Sequence, residues 1–185
     1  RSAAKGVPTS FDITGDALSG HVNFAFTKGG KVEYESLIDM QARKIILGNH
    51  EHDAPGGLFD VPRCGKVMRP ILEKNPNVSV INSNLDVSAY PEYAGLTKPY
   101  VIEEIGAPWG KTKVATIGLT TDEGAVGAIK YHDAEQTAIA AIKDLNSQGI
   151  KHIVLDTHIG LGEDVKLAKA LIRENLKVSR IQGGH

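Results

Sequence analysis

Asparagine, histidine and carboxylate side chains crowd into Gly48-Asn49-His50-Glu51-His52-Asp53, and smaller groups of the same kind stand at Gly15-Asp16-Ala17, Asp156-Thr157-His158 and Gly183-Gly184-His185. Imidazole nitrogens, an amide oxygen and a carboxylate suit a borderline first-row ion such as Mn²⁺, Zn²⁺ or Fe. Thiolate ligation is excluded, since Cys64 is the single cysteine, and an all-oxygen magnesium cage would not use three imidazoles. Gly15, Gly48 and Gly184 each precede a ligand candidate, where a missing Cβ permits a sharp turn and close backbone approach to an ion.

Taken singly, these residues have ordinary readings. His21, His132 and His152 read as surface or hydrogen-bonded boundary residues, Asp16 alone could cap a turn or a helix, and Asn49-His50 could be a plain strand-end turn. What sets the groups apart is that each follows a short apolar or β-branched run. Phe11-Asp12-Ile13-Thr14 leads into Asp16, Lys44-Ile45-Ile46-Leu47 into Asn49, His152-Ile153-Val154-Leu155 into His158, and Val178-Ser179-Arg180-Ile181 into His185. Such runs read as buried strands, as do 78–81 and 113–117. The carboxyl-end loops of one sheet would then converge at one rim, where open α/β sheets place their chemistry.

The elements between the strands follow from periodicity. From Asp133 to Ser147, Ala134, Ala138, Ile139, Ala141, Ile142 and Leu145 recur at helical spacing before Gly149. A second apolar face, Val165, Leu167, Ala168, Leu171 and Ile172, predicts a helix from Asp164 through Asn175. A strand, a helix and a strand between residues 113 and 155 make a crossover unit, which implies parallel pairing and a layered α/β fold. The stretch 55–76 is punctuated by Gly56-Gly57, Pro62 and Pro70, and within it only Val67 to Lys74 reads as a helix.

The 185 residues carry 21 Lys+Arg against 22 Asp+Glu, a formal charge of −1, which gives no reason to expect a nucleic-acid binder or a polybasic membrane module. No stretch approaches the roughly 20 apolar residues that span a bilayer, so no membrane insertion is expected. One cysteine excludes an internal disulfide.

Gly48-Asn49-His50-Glu51 with Asp53 resembles the GNHE(F)D signature of calcineurin-like metallophosphoesterases, in particular their 5′-nucleotidase branch. Gly15-Asp16-Ala17-Leu18 resembles the GDAL segment of that branch, and Asn82-Ser83-Asn84-Leu85 its (S/A)AN segment. Ile117-Gly118-Leu119-Thr120-Thr121 is similar to IGLTT, Thr157-His158-Ile159-Gly160 to (T/S)HxG, and Gly183-Gly184-His185 to the start of GGH(S)H. The segments come in the family's order and cover essentially the whole chain.

The resemblance implies an αββα fold, with layered β-sheets flanked by helices, forming one catalytic domain over residues 1–185. It implies that Asp16 bridges two divalent ions, that Asn49, His158 and His185 complete the second ion's protein ligands, that His50 stabilises or protonates the departing oxygen with Asp53 orienting it, and that Asn84 faces substrate. It implies hydrolysis of a small-molecule phosphate ester or nucleotide, first of all a nucleoside 5′-monophosphate, in the periplasm or at the cell surface. A cyclic-nucleotide or sugar-nucleotide phosphodiesterase, a hydrolase of a sulfur-containing ester, and a non-catalytic metal-binding module are the alternatives. The family's DxH(G) motif has no match before Asp16, and the histidine that follows GGH has none after His185. The first ion's set is therefore expected to be incomplete: either its ligands lie outside this chain or the site is degenerate. The separate nucleotide-specificity domain of 5′-nucleotidases is likewise without a counterpart.

Overall fold

A computed structural model describes residues 9–18, 29–54, 58–107 and 110–185. His21 and the Pro55-Gly56-Gly57 breaker lie outside the described residues.

Strand β1 (Phe11–Thr14) pairs in parallel with β2 (Ala42–Ile46), β2 with β5 (Ser79–Ile81), and β5 with β7 (Thr97–Lys98). A second four-stranded sheet is ordered β12 (Arg180–Gly183), β11 (His152–His158), β9 (Gly110–Thr120), β8 (Tyr100–Ala107). Within it β9, β11 and β12 are parallel, and β8 returns antiparallel on β9. Two small antiparallel pairs, β3 (Asp53–Ala54) with β4 (Leu58–Phe59) and β6 (Leu85–Asp86) with β10 (Lys130–Tyr131), lie outside these layers.

The layered α/β class, the parallel crossover unit and the αββα sheets implied by the resemblance are as expected, but the strands that end in chemistry-bearing residues, whose runs read as one sheet, are divided between the two. Side-chain alternation explains why both sheets are covered on both faces. In the first sheet Ile45, Leu47 and Val80 pack against helices α1 (Lys31–Asp39) and α2 (Val61–Lys74), in a core with Tyr34, Ile38, Cys64, Met68 and Ile71. In the second, Ala115, Ile117, Leu119, Ile153 and Leu155 pack against α3 (Ala134–Ser147) and α4 (Leu161–Arg173) through Ala138, Ile142, Leu145, Leu167 and Leu171. The opposite faces of the two sheets meet each other.

Helix boundaries correct two expectations. Asp60 caps α2, its Oδ1 accepting the Arg63 N–H at 3.2 Å, so the helix begins at Val61 rather than Val67. Pro62 sits in the first turn, where its missing N–H costs nothing. Helix α4 likewise starts at Leu161, three residues before the expected Asp164. Helix α3 spans its expected range, with Asp133 Oδ1 accepting the Gln136 N–H at 2.7 Å.

The surface between the sheets is part apolar, with Ile46 and Ile81, and part ionic. Lys44 Nζ lies 3.2 Å from Asp12 and 2.8 Å from Glu103, while Arg180 Nη2 is 4.0 Å from Asp12 and 3.9 Å from Asp156. Asp156 is fully buried, and neither carboxyl oxygen has a hydrogen-bond partner among the described residues. Burial and the neighbouring Asp12 push its pKa up to about 7 against the pull of Arg180 and Lys44. Because the folded value exceeds the unfolded one, the folded state holds the extra proton, and stability falls as pH rises from about 4 to 7. We expect Asp156→Asn to melt above the wild type at pH 8, with the gap closing by pH 4 to 5. A gap independent of pH in thermal melts would refute this account.

Candidate metal centre

Period-two alternation places Asp156 and His158 on the same face of β11, toward the first sheet. His158, two residues beyond the buried ionic layer, is itself buried. Its Nδ1–H donates to the Thr14 carbonyl at 2.6 Å, and since a carbonyl only accepts, Nε2 is left as the nitrogen that can bind a cation. Nε2 lies 3.0 Å from Asp16 Oδ2 and 3.3 Å from Asn49 Oδ1.

The His185 ring packs edge-on against His158, centroids 5.0 Å apart. Ligand atoms of Asp16, His158 and His185 all lie within 4.8 Å of one another. The structure thus brings together the four residues expected as ligands, Asp16 and Asn49 from loops of the first sheet, His158 and His185 from the second. His185 Nε2 also pairs with Glu123 at 2.8 Å.

Close approach at this point needs glycine. A Cβ on Gly48 would overlap the Asp16 carboxylate and stand 2.8 Å from His158 Nε2. Asp16 has a left-handed backbone, φ 52°, which is uncommon outside glycine and asparagine-like residues and concentrates at functional sites.

Charge in the cluster centres on the Asp16–His158 pair. Although burial opposes it, the hydrogen bond with His158 and the backbone N–H of His50 hold the Asp16 carboxyl below the ordinary range. Burial works against charge on His158, but its bonds to Asp16 and Thr14 raise its pKa on balance. Glu51 is raised to about 7 by burial, against three backbone N–H donors.

Beside the cluster, His50 Nδ1 is 2.7 Å from Asp53 Oδ2. That bond comes first among the causes that raise the His50 pKa, with Asp16 adding to it. His50 stays half-exposed at the rim, and its backbone N–H donates to Asp16 Oδ1 at 3.0 Å. Arg63, from the first turn of α2, bonds the carbonyls of Gly29, Glu51 and Asp53 and so fixes the loop that carries the dyad.

Asn84, expected to face substrate, has its amide occupied by the main chain. Nδ2 donates to the carbonyls of Thr120 at 2.7 Å and His132 at 3.2 Å, and Oδ1 accepts the Thr120 N–H at 2.9 Å. With both amide hydrogens used, Asn84 ties the end of β9 to the segment before α3. Sequence reasoning missed Thr14, which acts through its carbonyl and so carries no side-chain signal, and Glu123, which stands outside any ligand-like spacing.

No family model matches the sequence. The chain is 27% identical over 162 residues to the NAD 5′-nucleotidase of Haemophilus influenzae, covering 84% of this chain and 24% of that protein. It superposes on the 5′-nucleotidase precursor of Thermus thermophilus with a TM-score of 0.79 and 28% identity, covering all of this chain and 34% of that one. The structure of Haemophilus influenzae NAD nucleotidase gives a TM-score of 0.72 at 24% identity, again over the whole of this chain and 34% of that one. The chain therefore spans about a quarter to a third of these relatives. Its fold is that of the calcineurin-like metallophosphoesterases, shared by 5′-nucleotidases and, at 18% identity and a TM-score of 0.67, by a Thermus thermophilus sulfate thiohydrolase. The described residues hold one partial ligand cluster, which accords with a di-metal site of which one half is incomplete.

Proposed function

We propose that this chain is the metal-binding catalytic domain of a phosphate monoester hydrolase, with nucleoside 5′-monophosphates as its leading substrate class. The observation that carries the reading is the His50–Asp53 pair held beside the Asp16–Asn49–His158–His185 cluster through the His50 backbone. The donor set fits a borderline divalent ion, because two imidazoles, an amide oxygen and a carboxylate converge and His158 has its tautomer fixed by Thr14. When bound, such an ion supplies polarisation of phosphoryl oxygens and a more acidic water.

Everything else falls to side chains. Asp16, Asn49, His158 and His185 hold the ligand atoms in place. Asp53 orients the His50 ring and favours its protonated form, so that Nε2–H is available to an oxygen departing from phosphorus. The 5′-nucleotidase relatives support the substrate class, and a periplasmic or cell-surface location for the intact protein is part of the same proposal. Among the described residues no helix is long and apolar enough to cross a membrane.

The test is hydrolysis of AMP and of bis-p-nitrophenyl phosphate in Mn²⁺, with His50→Ala alongside. AMP should be the better substrate, and the variant should lose roughly 10²-fold or more in kcat while keeping its ion, as expected for a positioned proton donor. Unchanged turnover would remove His50 from the chemistry. An ion-loaded chain that cleaves neither ester would make it a binding module instead.

A further inference from the structure

Glu51 is fully buried, and neither the ligand set nor the His50–Asp53 pair uses its side chain. Its Oε2 accepts the backbone N–H of Asp16 at 3.1 Å and of Gly48 at 2.5 Å, and its Oε1 accepts the N–H of Leu18 at 3.2 Å. Asp16 and Leu18 belong to the loop after β1, whereas Gly48 and Glu51 belong to the loop after β2. The return bond runs the other way, from the His50 N–H to Asp16 Oδ1. Two loops that each deliver a ligand are thus cross-linked reciprocally, side chain to backbone in both directions.

We propose that Glu51 is a positioning residue which sets the separation of Asp16 from Asn49, and with it the geometry in which these two meet an ion. The inference rests on the metal-site reading above. Three donors converging on one desolvated carboxyl leave it little freedom, and a buried group with several bonds is costly to disturb. The grip also accounts for the left-handed backbone of Asp16, a conformation that persists only where surrounding contacts over-determine it. Gly48 can come close enough to share Oε2 with Asp16 because it has no Cβ. A residue that merely filled space here would need no acceptor atoms.

The decisive comparison is between wild type, Glu51→Gln and Glu51→Leu, with Mn²⁺ affinity measured by calorimetry and amide exchange followed by NMR. In the wild type the amides of Asp16, Leu18 and Gly48 should exchange slowly, like those of the sheets. Glutamine keeps the shape and one acceptor oxygen but turns an NH₂ toward a donor. It should remain folded, deprotect at least one of the three amides, and weaken Mn²⁺ binding about 10-fold, within the range for residues that orient metal ligands. Leucine, with no acceptor, should weaken it further, so that the order Glu, Gln, Leu follows acceptor count rather than melting temperature. A folded Glu51→Gln that binds Mn²⁺ as the wild type does would overturn the proposal. Fast exchange of the three amides in the wild type would overturn it whether or not either variant folds. A wild type with protected amides but no affinity for Mn²⁺ would sink the metal reading, and the positioning role with it, while leaving the cross-link between the loops as a fact of the fold.

Discussion

His158→Ala should reduce divalent-ion affinity by at least about 10²-fold and abolish ion-dependent hydrolysis with it. Losses of roughly 10- to 100-fold follow from disturbing groups that only support a ligand, and His158 is more central than those. Among the described residues it is the one side chain bonded to both Asp16 and Asn49, and its ring abuts His185. Removing it leaves three donors around an open gap and frees the Thr14 carbonyl from its bond. Asp16 also loses the hydrogen bond that holds its carboxyl low, so at mildly acid pH protons compete better with the ion for what remains. Calorimetric titration of Mn²⁺ into wild type and variant at pH 7.5 and 5.5 reads both effects. Retained affinity at either pH would show that the ion sits elsewhere.

Gly118→Ala carries the largest expected cost in stability. Gly118 lies on the face of β9 turned toward the first sheet, where an added Cβ would run into the Ile81 carbonyl and come within 3.2 Å of Ile46 Cδ1. The obstacle is backbone, which cannot rotate aside, and the Gly118 carbonyl is itself committed to the Ser83 N–H at 2.7 Å. Relief requires the sheets to part, so the cost belongs at the upper end of the roughly 1–3 kcal/mol typical of overpacking. For a chain of this size that corresponds to a fall in melting temperature on the order of 6–12 °C. Differential scanning calorimetry decides it, and a variant within about 2 °C of the wild type would mean that the sheets are not in contact at Gly118.

Much of this fold was legible because its strands are short, β-branched and buried on both faces, and because α3 has a cap, an apolar stripe and a terminating glycine in order. The split into two sheets came only with the family resemblance, which implies αββα layers; the apolar runs by themselves read as one sheet. Alternation shows that Ile45 and Ile46 point in opposite directions, but both are buried, and nothing in the letters says that one meets helices and the other a second sheet. The start of α2 was hidden by Pro62, which reads as a breaker although a first-turn proline is tolerated. Strand β8 was hidden by Glu103 and Glu104, which suit its place at the sheet edge, where Glu104 pairs with Lys111 of β9 at 2.8 Å.

In the site, side-chain donors could be read from motifs and backbone partners could not. Asp16, Asn49, His158 and His185 advertise their chemistry by type. The Thr14 carbonyl and the amides gripping Glu51 are contributed by positions whose letters are incidental. Asn84 shows the converse, a motif residue whose polar atoms are consumed by the main chain.

The division of the chain has a consequence of its own. Among the described residues, 11–98 supply every strand of the first sheet and 100–183 every strand of the second, each sheet wrapping a core of its own, the first of which also takes in Ile129 from the second half. The rim is therefore built like a caliper with one jaw from each half of this chain. Asp16 and Asn49 ride on one jaw, His158 and His185 on the other, and the opening between them is set by whatever fills the hinge plane: Ile46, Ile81, the bare Cα of Gly118 and the ionic layer around Asp156. Selection on ligand spacing can thus act through residues that never approach an ion, and drift in the width of that plane would retune the centre without changing a single donor.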